Sequence, residues 1–318
     1  EIANNGFADG IANTYADDLI GIGPTLRMQT GSEGFNRMVE TAWRTWAKEV
    51  KFRRKLWCMA HAKHGDGEGI GVLRQNRKLK HAVKLDLVLH ETEQMATPYL
   101  PWGKEGYIDG IQFDQWGNPE FYDILRNHPG SSQGWSQASL KPEKVAAKFV
   151  LHWFKMKRPG QHRGVPECSS TLNLGAAGRR YREAVVSAAE NIADFSLFLQ
   201  TTMAPDELDP VAAMSTLAIQ KRMMTALPQG YGAFQPKAEQ PTSTYTEFNK
   251  SIIGEQARAK SMPLNKAMCD SSDYNYSSGR LDHSTYYGHL DIDREDCDDI
   301  ALDPMFDVLF EFAVSRYG

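Results

Sequence analysis

At 318 residues, with 41% apolar and 24% charged side chains, the chain can bury a substantial core, as one large domain or two to three smaller ones. Its formal charge of -4 gives no support to a broadly basic nucleic-acid-binding surface, and no apolar run approaches the length needed to cross a bilayer. Four cysteines, Cys58, Cys168, Cys269 and Cys297, lie far apart without a CxxC pair, the pattern of free thiols in a reducing compartment.

The chain begins at Glu1 inside helical periodicity and stops in the helix-like FEFAVSRYG, so an internal piece of a longer polypeptide is expected. Phe7, Ile11, Tyr15 and Leu19 recur at helical spacing before GIGP, where Gly21 and Gly23 release the backbone and Pro24 blocks continuation. Thr25 to Met28 resembles a short strand. A second helix is predicted over 33–47, lined by Phe35, Val39, Ala42, Trp43 and Trp46, and a third over 52–64. Beyond GDGEG the signal changes to short strands at 70–74, 83–89, 107–114 and 120–125, the last two joined by the turn-forming QWGNP. One more strand is expected over 145–154, giving a mixed or antiparallel sheet.

The stretch KMKRPGQHRGVPE, Lys155 to Glu167, joins a rigid glycine-proline corner to a long helical run. Leu172, Ala176, Tyr181, Ala184, Ala188, Ile192, Phe195 and Leu199 extend that run over 169–202, a strut of about 50 Å if unbroken. APDELDP breaks the pattern, and an irregular passage through Pro228, Pro236 and Pro241 follows. Thr244 caps a second long helix over 245–260, ended by Pro263. The polar segment 270–288 is too long for a tight connection and is expected to be an ordered loop. Seven acids between Asp291 and Asp303 form a solvated face ahead of the apolar stretch Met305 to Val314.

No apparent active site survives its own chemistry. His61 and His64 with Asp66 and Glu68 invite a metal reading, but the spacing is not HExxH. Ser277 and Ser278 near His283 lack a strained elbow and an orienting third group. GDGEGIG lacks the lysine and hydroxyl of a phosphate loop. The acids of 291–303 lack the spacing of a calcium hand. No catalytic residue, metal or cofactor is therefore assigned. Arg179, Arg180 and Arg182 are read as an ion-pair belt between helices or subunits rather than a phosphate contact.

The order of NNGFADG (4–10), DDLIGIGPTLR (17–27), IDGIQFDQWGNPEFYDI (108–124), RPGQHRGVPE (158–167), LPQGYGAFQPKAEQPTSTYTEFNK and NYSSGR (275–280) resembles the portal proteins of tailed bacteriophages, lambda-like family. The resemblance implies an α+β portal fold with a β-containing wing (1–168), a first stem helix (169–202), a small α/β clip (203–243), a second stem helix (244–262), a channel-loop region (263–290) and a return helix toward wing and crown (291–318). Arg158, Pro159, Gly160, Arg163, Gly164 and Pro166 would form a structural corner, and Asn275, Tyr276, Ser277, Ser278 and Arg280 a channel loop. It further implies a dodecameric ring at a capsid vertex of the virion, assembled in the host cytoplasm, that passes double-stranded DNA and meets the major capsid protein, the terminase large subunit and a head-tail connector, with no membrane. Phe195, Leu199, Phe248 and Ile252 would pack against stem or subunit neighbours. ATP hydrolysis would belong to the terminase. Two other readings compete: a metal-assisted hydrolase centred on His61 and His64, and a capsid connector or scaffold that conducts no DNA.

Overall fold

The computed structural model describes residues 2–95, 106–131, 141–194, 198–201, 231–234 and 244–317. It divides into two compact units, Glu1–Asn173 with Ile253–Gly318, and Leu174–Ile252.

The first unit opens with three helices. α1 (Gly6–Ile20) starts where the Asn5 side chain accepts a hydrogen bond from Phe7 N, and ends where Gly21, at φ 53°, donates its N–H to Asp17 O. α2 (Glu33–Glu49) is capped by Ser32. Of its predicted apolar stripe only Trp43 and Trp46 are buried; they pack with Phe52 at the head of α3 (Phe52–Gly65) at centroid separations of 5.8 and 5.4 Å. Trp46 Nε1 donates to Leu85 O at 2.8 Å, so this buried indole is both packed and satisfied. The segment 25–28 forms no strand; Met28 N donates instead to the Glu40 carboxylate at 2.9 Å.

After α3 come β1 (Glu68–Gln75), β2 (Leu85–His90), β3 (Tyr107–Ile108), β4 (Ile111–Phe113), β5 (Pro119–Ile124), β6 (Glu143–Ala146) and β7 (Val150–Phe154), all antiparallel where paired. They form two sheets, β2-β1-β7 and β3-β4-β5-β6. Two predicted strands are thereby divided. Asp109 and Gly110, at φ 45° and 85°, fold 107–114 into the tight β3-β4 pair. A 3-10 turn at Ala147–Phe149 splits 145–154, sending β6 to one sheet and β7 to the other.

Strand alternation makes the first sheet a partition. Ile70 and Val72 face Met95, Ile111, Tyr122, Ile124 and Val145 of the second sheet's core. Leu73, Leu85, Leu87, Leu151 and Trp153 face the helices. This unit is therefore layered as helices, first sheet, second sheet.

The chain leaves through a 3-10 turn (Glu167–Thr171) and α4 (Leu172–Asp194). The expected strut stops short: its last predicted residues form β8 (Phe198–Thr201), paired antiparallel with β9 (Tyr231–Phe234). At 23 residues α4 is about 35 Å long rather than 50 Å. Phe195 and most of the expected clip lie outside the described residues. Within the second unit α4 meets α5 (Tyr245–Arg258): Tyr181 packs on Tyr245 and Phe248 at 5.9 and 4.7 Å, and a Cβ at Gly178 would lie 3.2 Å from the Ile252 side chain.

Back in the first unit, α6 (Leu264–Met268) precedes α7 (Tyr276–Cys297), a π-helical turn (Asp298–Leu302) and α8 (Asp303–Tyr317). Pro304 has no N–H to donate one turn back, which accounts for the widened turn ahead of it. The expected loop at 270–288 is thus largely helix. No helix among the described residues is long and apolar enough to cross a membrane.

Candidate functional site

The corner at 158–167 is built from within. Gln161 N donates to Arg158 O at 3.3 Å across Pro159 and Gly160, and Gly160 takes the positive φ, 69°, that such a turn needs. The buried Gln161 side chain accepts from Lys157 N at 2.9 Å and donates to Arg163 O at 2.9 Å and Lys155 O at 3.3 Å. Gly164 then passes so close to Gly67 that an added Cβ would sit 2.1 Å from the Gly67 carbonyl oxygen, and only glycine fits.

Arg163 is the hub. Its guanidinium binds both oxygens of Glu68, at 2.8 and 3.1 Å from Nε, and reaches Met95 O and Asp109 O at 3.0 Å and Thr92 O at 3.3 Å. Glu68 also contacts His152 Nε2 at 2.9 Å and accepts from Gly164 N at 2.8 Å. Burial pushes the Glu68 carboxyl up, but hydrogen bonds from His152 and Arg163 outweigh it and hold the group at about 2. Burial, then the Glu68 charge, pushes the neighbouring Tyr122 phenol up to about 12. One arginine thus joins the corner to β1 of the first sheet and to the β3-β4 turn of the second.

A second buried knot begins where the corner ends. Glu167 stands just before α4 and Lys260 just after α5; both are buried, and they form an ion pair. The Lys260 ammonium lies 3.4 Å from the Tyr15 ring centroid. Tyr15 donates to Asp293 Oδ2 at 2.9 Å, while Lys63 and Lys155 approach Asp293 Oδ1 at 3.5 and 3.4 Å. Desolvation, then repulsion from Lys63, pulls the Lys260 ammonium well below its usual range. Burial pushes Asp293 up, yet Lys63, Lys260 and Lys155 together leave it below the ordinary carboxylate range. The places where the chain leaves and re-enters this unit are therefore held by one ion pair.

His64 Nδ1 lies 3.9 Å from Glu167 Oε2, and desolvation followed by the Lys260 charge lowers its pKa from 6.5 to about 3. The folded state thus resists protonation that the unfolded chain accepts below about pH 6.5, so this group removes stability as pH falls from there toward 3. Guanidinium titrations at stepped pH should show about 1.4 kcal/mol lost per pH unit from this residue, and H64N should flatten that slope by one proton.

The predicted channel residues lie at the start of α7. Asn275 caps it, its side chain accepting from Ser278 N at 2.9 Å, and Tyr276, Ser277, Ser278 and Arg280 are helical. Of the three arginines on α4, Arg182 donates from Nε to its own helix at Gly178 O, 3.3 Å away. The acids of 291–303 are not all solvated: Tyr286, Leu290, Asp293 and Cys297 form the buried face of α7, a four-three-four spacing readable in the sequence.

Catalytic geometry does not assemble among the described residues. His283 meets Asn265 at 3.3 Å, whereas Ser278 Oγ donates to Asn275 O at 3.2 Å. His61 stacks on Trp57 at 5.2 Å. Glu91, Glu93 and His128 do bring ligand atoms within 4.8 Å of one another. His128 Nδ1, however, accepts from Gly130 N at 2.9 Å, which leaves the ring proton on Nε2, 3.1 Å from Glu91. That is a hydrogen-bonded surface pair.

Antiparallel sheets and long helices make this an α+β fold. The model of the phage portal proteins, lambda family, matches residues 2–292, and the chain belongs to that family. A "Probable portal protein" of Halomonas phage phiHAP-1 is 22% identical over 312 residues, covering 89% of this chain and 60% of that relative. The chain therefore spans about 60% of the relative's length. Among solved structures, the neck of an empty gene transfer agent particle, determined with C6 symmetry, is similar in fold, with a TM-score of 0.52 and 13% identity over 87% of this chain and 71% of that one. A chain from the virion of the native gene transfer agent particle gives a TM-score of 0.48 at 13% identity, over 90% of this chain and 72% of that one.

Proposed function

We propose that this chain is one subunit of a ring at the capsid portal vertex through which double-stranded DNA is packaged and ejected. The observation that carries the reading is the family match over residues 2–292. In this reading residues 1–168 are the wing, α4 and α5 the stem helices, 203–243 the clip, 263–290 the channel-facing region and 291–318 the return toward the wing. The ring has twelve copies and docks the terminase large subunit, the major capsid protein and a head-tail connector. Asn275, Tyr276, Ser277, Ser278 and Arg280 face the passage from the head of α7, and Arg179, Arg180 and Arg182 pair with acids between stems.

The buried clamp supports this assignment, because a stem that bears load between a docking end and the wing needs fixed roots, and Glu167 and Lys260 fix both. Charge supports it too. A strongly basic wall would bind phosphates and slow a sliding duplex, whereas a chain of net charge -4 leaves hydrated ions between wall and DNA. Electron microscopy of the purified full-length protein should show rings with a central opening. Strictly monomeric particles at near-native ionic strength would contradict the proposal.

A further inference from the structure

The β4-β5 hairpin holds an indole in solvent on a rigid mount. Trp116 is 80% exposed. Its turn is fixed by one carboxylate: Asp114 Oδ1 accepts from Trp116 N and Asn118 N, each at 2.8 Å, and Oδ2 accepts from Asn118 Nδ2 at 3.1 Å. Asp114 N donates to Asn118 O at 2.9 Å, and Gly117 takes φ 84°. An aromatic side chain on backbone that is already ordered loses little entropy on docking, the property of an interface anchor.

A cleft lies on the same chain. It measures 370 Å³ and opens at the end of α1, lined by Leu19, Ile20, Pro24, Leu56 and Leu302, with Arg294 on its wall. Ile22 also lines it and is 93% exposed. The loop is held in place, since Gly21 and Gly23 take φ 53° and 98° and Arg53 Nε donates to Gly21 O at 2.7 Å. Arg294 donates to Asp18 O at 2.7 Å, which presents its guanidinium as a fixed plane that an indole can cover.

Charge and topology name the occupant. The hairpin region 107–124 carries Asp109, Asp114, Glu120 and Asp123 and no lysine or arginine, whereas the cleft carries Arg294 with Asp298 on its wall and Arg53 bound to its Gly21 carbonyl, and Lys51 and Arg54 lie exposed on the same helix head as Arg53. The hairpin belongs to the second sheet and the cleft to the helical layer, with the first sheet between them. We propose that Trp116 of one copy docks into the α1-end cleft of the next, a head-to-tail contact whose repetition closes the ring. Two different patches on one chain are what a heterologous, ring-closing interface requires. The inference rests on the ring reading and assigns it a contact.

The test uses full-length protein with its exposed cysteines replaced, C58S/C269S, to which I22C and W116C are added singly and together. Mild oxidation of I22C/W116C should give a ladder of cross-linked oligomers that neither single variant gives. In the unmodified background W116A, a change at an exposed site whose folding circular dichroism can verify, should lower the ring fraction at least about tenfold. Rings without a ladder, and W116A rings at wild-type level, overturn the contact and leave the ring standing. Normal W116A rings that fail only to join other virion proteins overturn it as well and give the indole a different partner. A wild-type protein that forms no ring removes both proposals together.

Discussion

Replacing Lys260 by methionine should destabilise the subunit by about 3–5 kcal/mol, the usual penalty when one member of a buried ion pair is removed and its partner stays behind. Glu167 would then sit at 5% exposure with His64 Nδ1 3.9 Å from its carboxylate. E167Q should cost a similar amount, because it strands an ammonium already disfavoured by desolvation and by Lys63. The double variant K260M/E167L should recover more than half of either loss, since apolar replacement of both partners removes the desolvation penalty along with the attraction. Urea midpoints for the four proteins decide the matter. Single variants within experimental error of the wild type would show that the pair does not clamp the helix roots.

The second large effect is expected at Arg163. R163A withdraws the guanidinium from Glu68 and from three backbone carbonyls, and a buried carboxylate left with His152 and one N–H should cost about 3–5 kcal/mol. R163K should recover little of it, because an ammonium cannot reproduce a fork that binds Glu68 and reaches Thr92, Met95 and Asp109 at once. The pH dependence separates this site from the clamp. With its folded value depressed to about 2, Glu68 contributes stability that is full above its unfolded value of 4.5 and is lost as pH falls toward 2. In R163A the Glu68 carboxyl rises and that loss shrinks. An unchanged acid limb in R163A would mean that Arg163 does not set the Glu68 charge state.

Local signals were legible in the sequence, and distant pairing was not. GIGP ended α1 because the glycines and proline act on their own backbone, and QWGNP made a hairpin for the same reason. The division of 145–154 could not be read, since its apolar content is continuous and only the pairing of β6 with β5 and of β7 with β1 pulls the halves apart. Helical spacing continues past Asp194 into Leu199, yet pairing with β9 overrides it. Serine and tyrosine gave 275–280 the look of a loop, while the Asn275 cap and the buried face of α7 make it a helix. The corner was visible as glycine and proline chemistry, but its partners Glu68, His152 and Lys260 come from other parts of the chain and carry no local mark.

The Glu167–Lys260 pair also bears on how such a chain can diversify. Everything in 174–252 is spliced into the first unit through a doorway whose two jambs touch. Lengthening, shortening or exchanging that excursion leaves the host's threading unaltered, so it is free to change while the layered body that carries it keeps its pattern.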